Sequence, residues 1–141
     1  MSHKHCFFQK MAITFDGNVN QLYAPCLDSM YAINMLQWQH YFPKDQILVV
    51  DGDRLIIDPV PELQKVETFL GLEHKITKDM FYFDEGKGFW CVIRDDKKSC
   101  ISDDKGHKPP KVDPKTLKTL YKFFVPLNEM FYKLVGQRFN W

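Results

Sequence analysis

The sequence predicts an α/β domain, and three observations support this prediction. Residues 47–50 form a short run that is apolar on both faces, which is typical of a fully buried strand. An amphipathic helix follows this run closely, and a strand followed by a helix is the pattern of α/β proteins. The 141 residues are 45% hydrophobic and 26% charged, a globular profile that is sufficient for one core.

Two helical segments are predicted on either side of this strand. Helical periodicity begins at Cys26 and ends before Pro43, because proline keeps the preceding residue out of helical geometry. The second helix has Asp58 as its N-cap, Pro59 in its first turn and Gly71 at its C-terminal end. The apolar faces of these two helices comprise Leu27, Met30, Tyr31, Ile33, Met35, Leu36 and Trp38, and then Val60, Leu63, Val66, Phe69 and Leu70.

The last third of the chain is predicted to hold a short strand and more helix. Residues 81–83 have the composition of a strand, and Asp113 begins a helix that turns Leu117, Leu120, Tyr121 and Phe124 inward. Pro126 is expected to interrupt this helix, so residues 127–135 are predicted to form a separate one that Gly136 ends. Because only one buried strand is evident, we expect its partner strands to lie outside these residues.

Charge is concentrated in one region of the chain. The net charge is only +1, but residues 87–122 contain ten Lys or Arg and five Asp. This region is predicted to be either a solvated surface or a patch that meets phosphate or sulfate. The sequence shows no apolar run of about 20 residues that would span a membrane, and no signal peptide.

Two of the four cysteines flank a charged segment. Cys91 and Cys100 enclose eight residues that suit a hairpin, and a hairpin would bring the two thiols close together. We favour a disulfide, which implies an oxidising compartment, over two free thiols. Cys6 and Cys26 have no evident partner, and the histidines and cysteines lack zinc-site spacing, so no metal is predicted.

Two neighbouring features suggest a binding site. Trp90 precedes Cys91 and follows the glycine-containing turn around Lys87, so its ring either offers a flat face to a base or belongs to the core. Lys105 and Gly106 begin a loop in which backbone amides are able to approach an anion closely. His107 and Lys108 add charge to that loop, and a solvated loop is the alternative.

These pieces, taken in order, resemble the C-terminal part of heparan sulfate glucosamine 3-O-sulfotransferases. The matching stretches are YFP at 41–43, VDGDRLIIDP at 50–59, FLGL at 69–72, FYF at 81–83, KGFWC at 87–91, DKGHKPP at 104–110, VDP at 112–114 and FYKLVGQRFNW at 131–141. The resemblance covers about residues 11–141, after a tail of residues 1–10. It implies the C-terminal part of a P-loop-like sulfotransferase fold, in which helices flank a parallel sheet, without the N-terminal phosphate-loop half.

The resemblance implies transfer of a sulfuryl group from 3′-phosphoadenosine 5′-phosphosulfate to glucosamine in heparan sulfate or heparin. It implies that Trp90 lies near the adenine, that Cys91 and Cys100 form a disulfide, and that Lys105, Gly106, His107 and Lys108 contact the cofactor. Lys87, Lys105 and His107 would contact the polysaccharide, and the location would be the Golgi lumen or secretory pathway. No nucleic-acid partner is expected.

Two departures from the family pattern affect this expectation. His107 stands where the family has Arg, so the grip on phosphate should be weaker or pH-dependent. No G-x-x-x-x-G-K-[ST] motif is present, and no residue is assigned as catalytic base. Glu62, Glu67 and Glu129 are predicted to lie on helix surfaces. The chain is therefore expected to be a truncated form that is inactive alone.

Three alternatives remain open at this point. Trp90 within GFWC favours an N-sulfotransferase fragment, whereas the FNW ending and the VDGDRLI run favour the 3-O branch. A non-catalytic module that binds heparin or other polyanions would also use the basic region at 87–122. An interaction or structural protein without a ligand is the third possibility.

Overall fold

The computed structural model describes residues 11–101 and 111–141. They form two compact units: unit one comprises residues 11–47 and 111–141, and unit two comprises residues 48–101. In chain order the helices are α1 (Ala24–Asp28), α2 (Tyr31–Tyr41), α3 (Gly52–Ile57), α4 (Pro59–Phe69) and α5 (Pro114–Val135), and the strands are β1 (Phe81–Asp84), β2 (Phe89–Arg94) and β3 (Lys97–Ser99). Within these ranges no helix is long and apolar enough to cross a membrane.

Unit one is helical, with a small turn at its start. An antiparallel bridge joins Ile13 to Val19 around that turn. The buried residues Ala12, Val19 and Cys26 form a core against which α5 packs. A second cluster, made of aromatic rings with centroids 5.3–6.4 Å apart, comprises Tyr31, Phe131, Tyr132, Phe139 and Trp141.

The single helix predicted from Cys26 is two helices, α1 and α2. The Ser29 hydroxyl donates to the Pro25 carbonyl at 2.7 Å, and Met30 leaves helical geometry with ψ at 64°. The apolar band predicted on this segment is largely exposed, since only Met30 among its members is buried. The periodicity therefore identified helical residues correctly but overestimated their burial.

Helix α5 continues through Pro126, so the predicted interruption is wrong. A proline inside a helix removes one hydrogen bond and costs about 3 kcal/mol. The helix persists because both of its halves are packed: Phe124 contacts the first core, and Phe131 is buried further along. Gly136 ends the helix with φ at +70°, as predicted. Leu117 and Tyr121, predicted to face inward, are 51% and 71% exposed, respectively.

Unit two begins with two helices whose caps follow from the sequence. Asp58 is the N-cap of α4 and accepts a hydrogen bond from the Val60 amide at 3.3 Å, as predicted. Gly71, with φ at +69°, follows the C-cap of α4. The Gly71 and Leu72 amides donate back into the last turn at 3.0 and 2.8 Å, which is a Schellman motif.

The sheet of unit two has three antiparallel strands in the order β1, β2, β3. Strand β1 contains the predicted residues 81–83. A two-residue turn, Asp95 and Asp96, joins β2 to β3, and both residues have positive φ, at 51° and 58°. This turn type matches the twist of the flanking strands, and aspartate tolerates it better than most residues. The predicted hairpin is therefore confirmed.

The α/β class is confirmed, but the sheet is not the one that the sequence analysis started from. Residues 47–50 are extended and half-buried, and in the described ranges they pair with no strand. A parallel ladder needs a neighbouring strand, and the strands that the structure describes are joined by short turns that favour antiparallel pairing. The predicted parallel sheet is therefore not found among these residues.

Candidate functional site

Unit two contains a cavity of about 560 Å³ between its helices and its sheet. The helices contribute one wall and strands β1 and β2 the other. The lining residues are Leu55, Ile56, Pro59, Leu63, Phe81, Gly88, Phe89, Trp90, Cys91, Val92 and Ile101. Because these side chains are apolar, the cavity suits a flat apolar or aromatic group better than an anion.

Trp90 is held in the wall of this cavity by three contacts. Its indole N–H donates to the Ile57 carbonyl at the end of α3, with a distance of 2.9 Å. Its ring packs edge-to-face on Phe83, with centroids 5.5 Å apart. The Lys78 ammonium lies 5.9 Å from the centre of the ring. The side chain is half-buried, so Trp90 is fixed by packing and also lines the cavity.

The predicted disulfide between Cys91 and Cys100 is present, and the two Cα atoms are 4.9 Å apart. Cys91 is 3% exposed, and it lies next to Trp90 in β2. The crosslink ties the middle of β2 to the residue after β3, which limits movement of the Trp90 backbone. Asp84 lies close to both sulfurs, but sulfurs joined in a disulfide are not thiolate ligands for a metal. Cys26 is a free, buried thiol, as predicted, and burial raises its pKa.

Lys87, predicted to contact the polysaccharide, lies in the turn between β1 and β2. The Asp84 carboxylate accepts its backbone N–H at 3.0 Å, and Gly88 completes the turn with φ at +74°. The Lys87 ammonium donates to the Ile101 carbonyl at 2.6 Å. This contact anchors the chain at the point where it leaves the cavity, just before the predicted anion-binding loop.

The predicted loop residues Lys105, Gly106, His107 and Lys108 lie outside the described residues, as do Cys6 and Pro109. The structure therefore brings together Trp90, Cys91, Cys100 and Lys87, and it leaves the cationic part of the predicted site as a prediction.

Glu62 is not on a helix surface, so that expectation is wrong. It is 2% exposed, and its carboxylate accepts the Asp51 amide N–H at 3.3 Å and forms an ion pair with Lys65. Asp51 is itself buried and caps α3, accepting the amides of Asp53 and Arg54 at 3.0 and 3.1 Å. The carboxylate of Glu62 therefore fixes the position of the N-terminus of α3.

Glu67 is also buried, at 6% exposure, and it joins α4 to the segment that follows. One carboxylate oxygen accepts the backbone N–H groups of Lys75 and Ile76 at 2.9 and 3.0 Å. Glu129 is half-buried and binds Arg138 through two hydrogen bonds of 2.6 and 2.9 Å. All three glutamates thus have structural contacts, and none lines the unit-two cavity.

Helix α3, which places Leu55 and Ile56 in the cavity wall, is the feature that sequence reasoning missed. The sequence predicted a strand at residues 47–50 and the next helix from Asp58, with no helix between them. The available signal was an N-cap aspartate, an acidic residue in the first turn at Asp53, and a stop at Asp58. The apolar residues between them then form one short turn of helix over the sheet.

The comparisons with known proteins agree with these features. The family model described as "Sulfotransferase domain" matches residues 2–129. The chain belongs to this family. It is 42% identical over 138 residues to the heparan sulfate glucosamine 3-O-sulfotransferase 5 of Homo sapiens. It is 38% identical over 115 residues to the 3-O-sulfotransferase 3B1 of Mus musculus, and 34% over 128 residues to the human 3-O-sulfotransferase 6.

These relatives are longer than the chain. The alignment with the human 3-O-sulfotransferase 5 covers 95% of this chain and 39% of the relative, and those with 3B1 and 6 cover 79% and 89% of this chain and 30% and 37% of the relatives. The resemblance stated from the motifs is thus confirmed, and the α/β structure is consistent with part of a sulfotransferase fold.

Proposed function

We propose that this chain is part of a sulfotransferase that moves a sulfuryl group from 3′-phosphoadenosine 5′-phosphosulfate to a glucosamine hydroxyl of heparan sulfate. Within it, unit two would supply the wall against which the adenine of the donor rests. The observation that supports this most directly is the family match across residues 2–129, together with the position of Trp90 at an apolar cavity.

The residues of the cavity fit a nucleobase. A purine has two apolar faces, and the half-buried ring of Trp90 with Phe81 and Phe89 offers aromatic surface of the same kind. The indole N–H is already used by the Ile57 carbonyl, so Trp90 would contribute its face rather than a hydrogen bond. The Cys91–Cys100 crosslink would keep that face in position.

The donor supplies the sulfuryl group and a bisphosphate leaving group, on which negative charge grows during transfer. Lys105, Gly106, His107 and Lys108 would meet this charge, because a cation and backbone amides stabilise a developing anion electrostatically. A histidine is a cation only when it is protonated, so the contribution of His107 would fall as the pH rises. Lys87, together with Lys105 and His107, would contact the polysaccharide.

No catalytic base is assigned within this chain. Glu62 and Glu67 are committed to backbone amides, and Glu129 is committed to Arg138. The base and the phosphate-binding loop of a whole sulfotransferase would therefore be provided by other residues. We propose an oxidising compartment such as the Golgi lumen as the location, since the disulfide would persist there.

A second candidate is a non-catalytic module that binds heparin or a similar polyanion. The excess of cations over carboxylates in residues 87–122 favours it. An N-sulfotransferase fragment is a weaker candidate, since the relatives named above are 3-O-sulfotransferases.

Calorimetric titration of the 141-residue chain with adenosine 3′,5′-bisphosphate and then with heparin separates the candidates. The sulfotransferase proposal predicts saturable binding of both ligands. Heparin binding without nucleotide binding would favour the module, and the absence of both would refute each proposal.

A further inference from the structure

A groove on unit one is lined by two lysines that form no salt bridge with any residue that the structure describes. It has a volume of about 670 Å³ and lies between α5 and the turn near the start of the chain. We call it the α5 groove; it is lined by Gly17, Asn18, Val19, Gln21, Lys118, Thr119, Lys122 and Phe123. All of these residues belong to unit one.

The lysines of the α5 groove share one face of the helix. Lys118 and Lys122 are four residues apart, so their Cβ atoms are about 5–6 Å apart, and Lys115 lies one turn earlier on the same face. Like charges at this spacing destabilise a helix. Across residues 11–101 and 111–141, no carboxylate forms a salt bridge with these three lysines, whereas Lys65 and Arg138 are paired. Asp113 interacts electrostatically with Lys115, whereas the charges of Lys118 and Lys122 are not neutralised by a salt bridge within the described residues.

The opposite wall is a hydrogen-bonded turn, and its bulky residue, Phe15, is fully exposed and does not line the groove. The Thr14 amide donates to the Asn18 carbonyl at 2.8 Å, and the Gly17 amide donates to the Thr14 carbonyl at 3.0 Å. Gly17 has φ at +83°, and a Cβ atom there would meet nothing within 4 Å. Asp16, the acidic residue of the turn, does not line the groove, and its carboxylate accepts hydrogen bonds from Thr14 and Asn18.

The cationic α5 groove continues into an apolar cavity. This adjoining cavity of about 550 Å³ shares Gln21, Lys122 and Phe123 with the groove and continues along Met30, Ile33, Pro126 and Leu127. A sulfated polysaccharide has anionic substituents and apolar ring faces, so it matches both the groove and the cavity. Single-stranded nucleic acid needs exposed aromatic rings for base stacking. Among the residues that line the groove and the adjoining cavity, Phe123 is the aromatic one, and it is half-buried against Phe124.

We propose that the α5 groove binds sulfate and carboxylate groups of the polysaccharide, with Lys118 and Lys122 as the main contacts. This subsite rests on the proposed function, because the polysaccharide is the substrate named there. It uses residues that differ from those of the unit-two cavity and from the predicted loop at Lys105. It would add affinity for the polysaccharide through residues that the proposed donor site does not include.

The test compares two double variants of the full chain. Lys118→Gln/Lys122→Gln removes two charges from the groove, and Lys44→Gln/Lys133→Gln removes two charges from exposed positions of unit one outside it. Calorimetry with a size-defined heparin oligosaccharide measures Kd, and circular dichroism checks the fold. We expect Kd to rise about 2- to 30-fold in the groove variant, and less than about twofold in the control.

The outcomes separate this inference from the proposed function. If the parent chain binds heparin and the groove variant binds it equally well, the subsite is refuted and the proposed function is not. If the parent chain fails to bind heparin, the polysaccharide substrate is refuted as well. If polyuridylate binds as tightly as heparin and loses as much affinity in the groove variant, the groove is a nucleic-acid site and the proposal is wrong.

Discussion

The disulfide between Cys91 and Cys100 gives the most quantitative prediction about unit two. The crosslink closes a loop of about ten residues, and the chain-entropy relation for a loop of that length gives about 2.7 kcal/mol at 25 °C. Replacement of both cysteines with alanine should therefore lower the free energy of unfolding of unit two by about 3 kcal/mol. Loss of packing at the buried Cys91 adds to the entropic contribution.

The assay is urea unfolding followed by hydrogen exchange of the amides in β2, which reports on unit two alone. The parent chain is measured with and without dithiothreitol, and Cys26→Ala is the matched control because Cys26 is a buried free thiol in unit one. The double variant should be insensitive to dithiothreitol, and the reduced parent chain should approach it. Cys26→Ala should keep the full response to the reductant.

Two results would contradict this reasoning. One is a parent chain whose β2 protection is the same in oxidising and reducing buffer. The other is a Cys26→Ala variant that loses its response to dithiothreitol, which would mean that a different pair of thiols carries the effect.

Three further predictions concern stability. Glu67→Ala should lower the free energy of unfolding of unit two by about 2–4 kcal/mol, because two backbone N–H groups lose a charged acceptor. The control Glu73→Ala, at an exposed position, should change it by less than about 0.5 kcal/mol. Equal effects of the two variants in urea unfolding would refute the role of Glu67. Pro126→Ala should stabilise α5, by up to about 3 kcal/mol, because the missing helical hydrogen bond is restored; a lower midpoint in urea would show that the proline is required. Acidification should lower Tm, since hydrogen bonds from the Thr116 side chain and from Arg138 hold the pKa values of Asp113 and Glu129 below their ordinary values of 3.8 and 4.5. A carboxylate with a depressed pKa stabilises the folded state above its ordinary pKa, and this stabilisation is lost as the pH falls through its pKa in the folded state. Asp113→Asn with Glu129→Gln should therefore flatten the decline of Tm below about pH 5. An unchanged slope of Tm against pH would contradict this prediction.

The sequence predicted the structure correctly where a residue interacts with residues that are close to it in the chain. Asp58, Gly71, Asp113 and Gly136 each start or end a helix as predicted, because caps depend on hydrogen bonds within one turn. The hairpin and its disulfide followed from cysteine spacing for the same reason.

Features that depend on distant parts of the chain were not predictable in this way. Pro126 was expected to break α5, but packing on both sides of it outweighs the lost hydrogen bond. Glu62 was expected at the surface, because its partner, the Asp51 amide, lies eleven residues earlier and is not marked by any local pattern. The run at 47–50 had the composition of a strand, but a strand also needs a neighbour.

The candidate site was predicted only where its residues are neighbours in the sequence. Trp90 and Cys91 are adjacent in the sequence and stay together, so their neighbourhood was foreseeable. The helical wall of the cavity was not, since α3 is a short helix that the sequence analysis did not predict. The roles of Lys105, Gly106, His107 and Lys108 stay predictions.

The measurement that tests the central proposal most directly uses Trp90 as its own reporter. The chain has three tryptophans, so a Trp38→Phe/Trp141→Phe variant leaves Trp90 as the one fluorescent indole. If adenine rests against the wall of the unit-two cavity, titration with adenosine 3′,5′-bisphosphate should quench this fluorescence saturably, and inorganic phosphate with sulfate should not. Unchanged fluorescence in a folded variant that binds the nucleotide by calorimetry would contradict the proposal, because the base would then rest elsewhere.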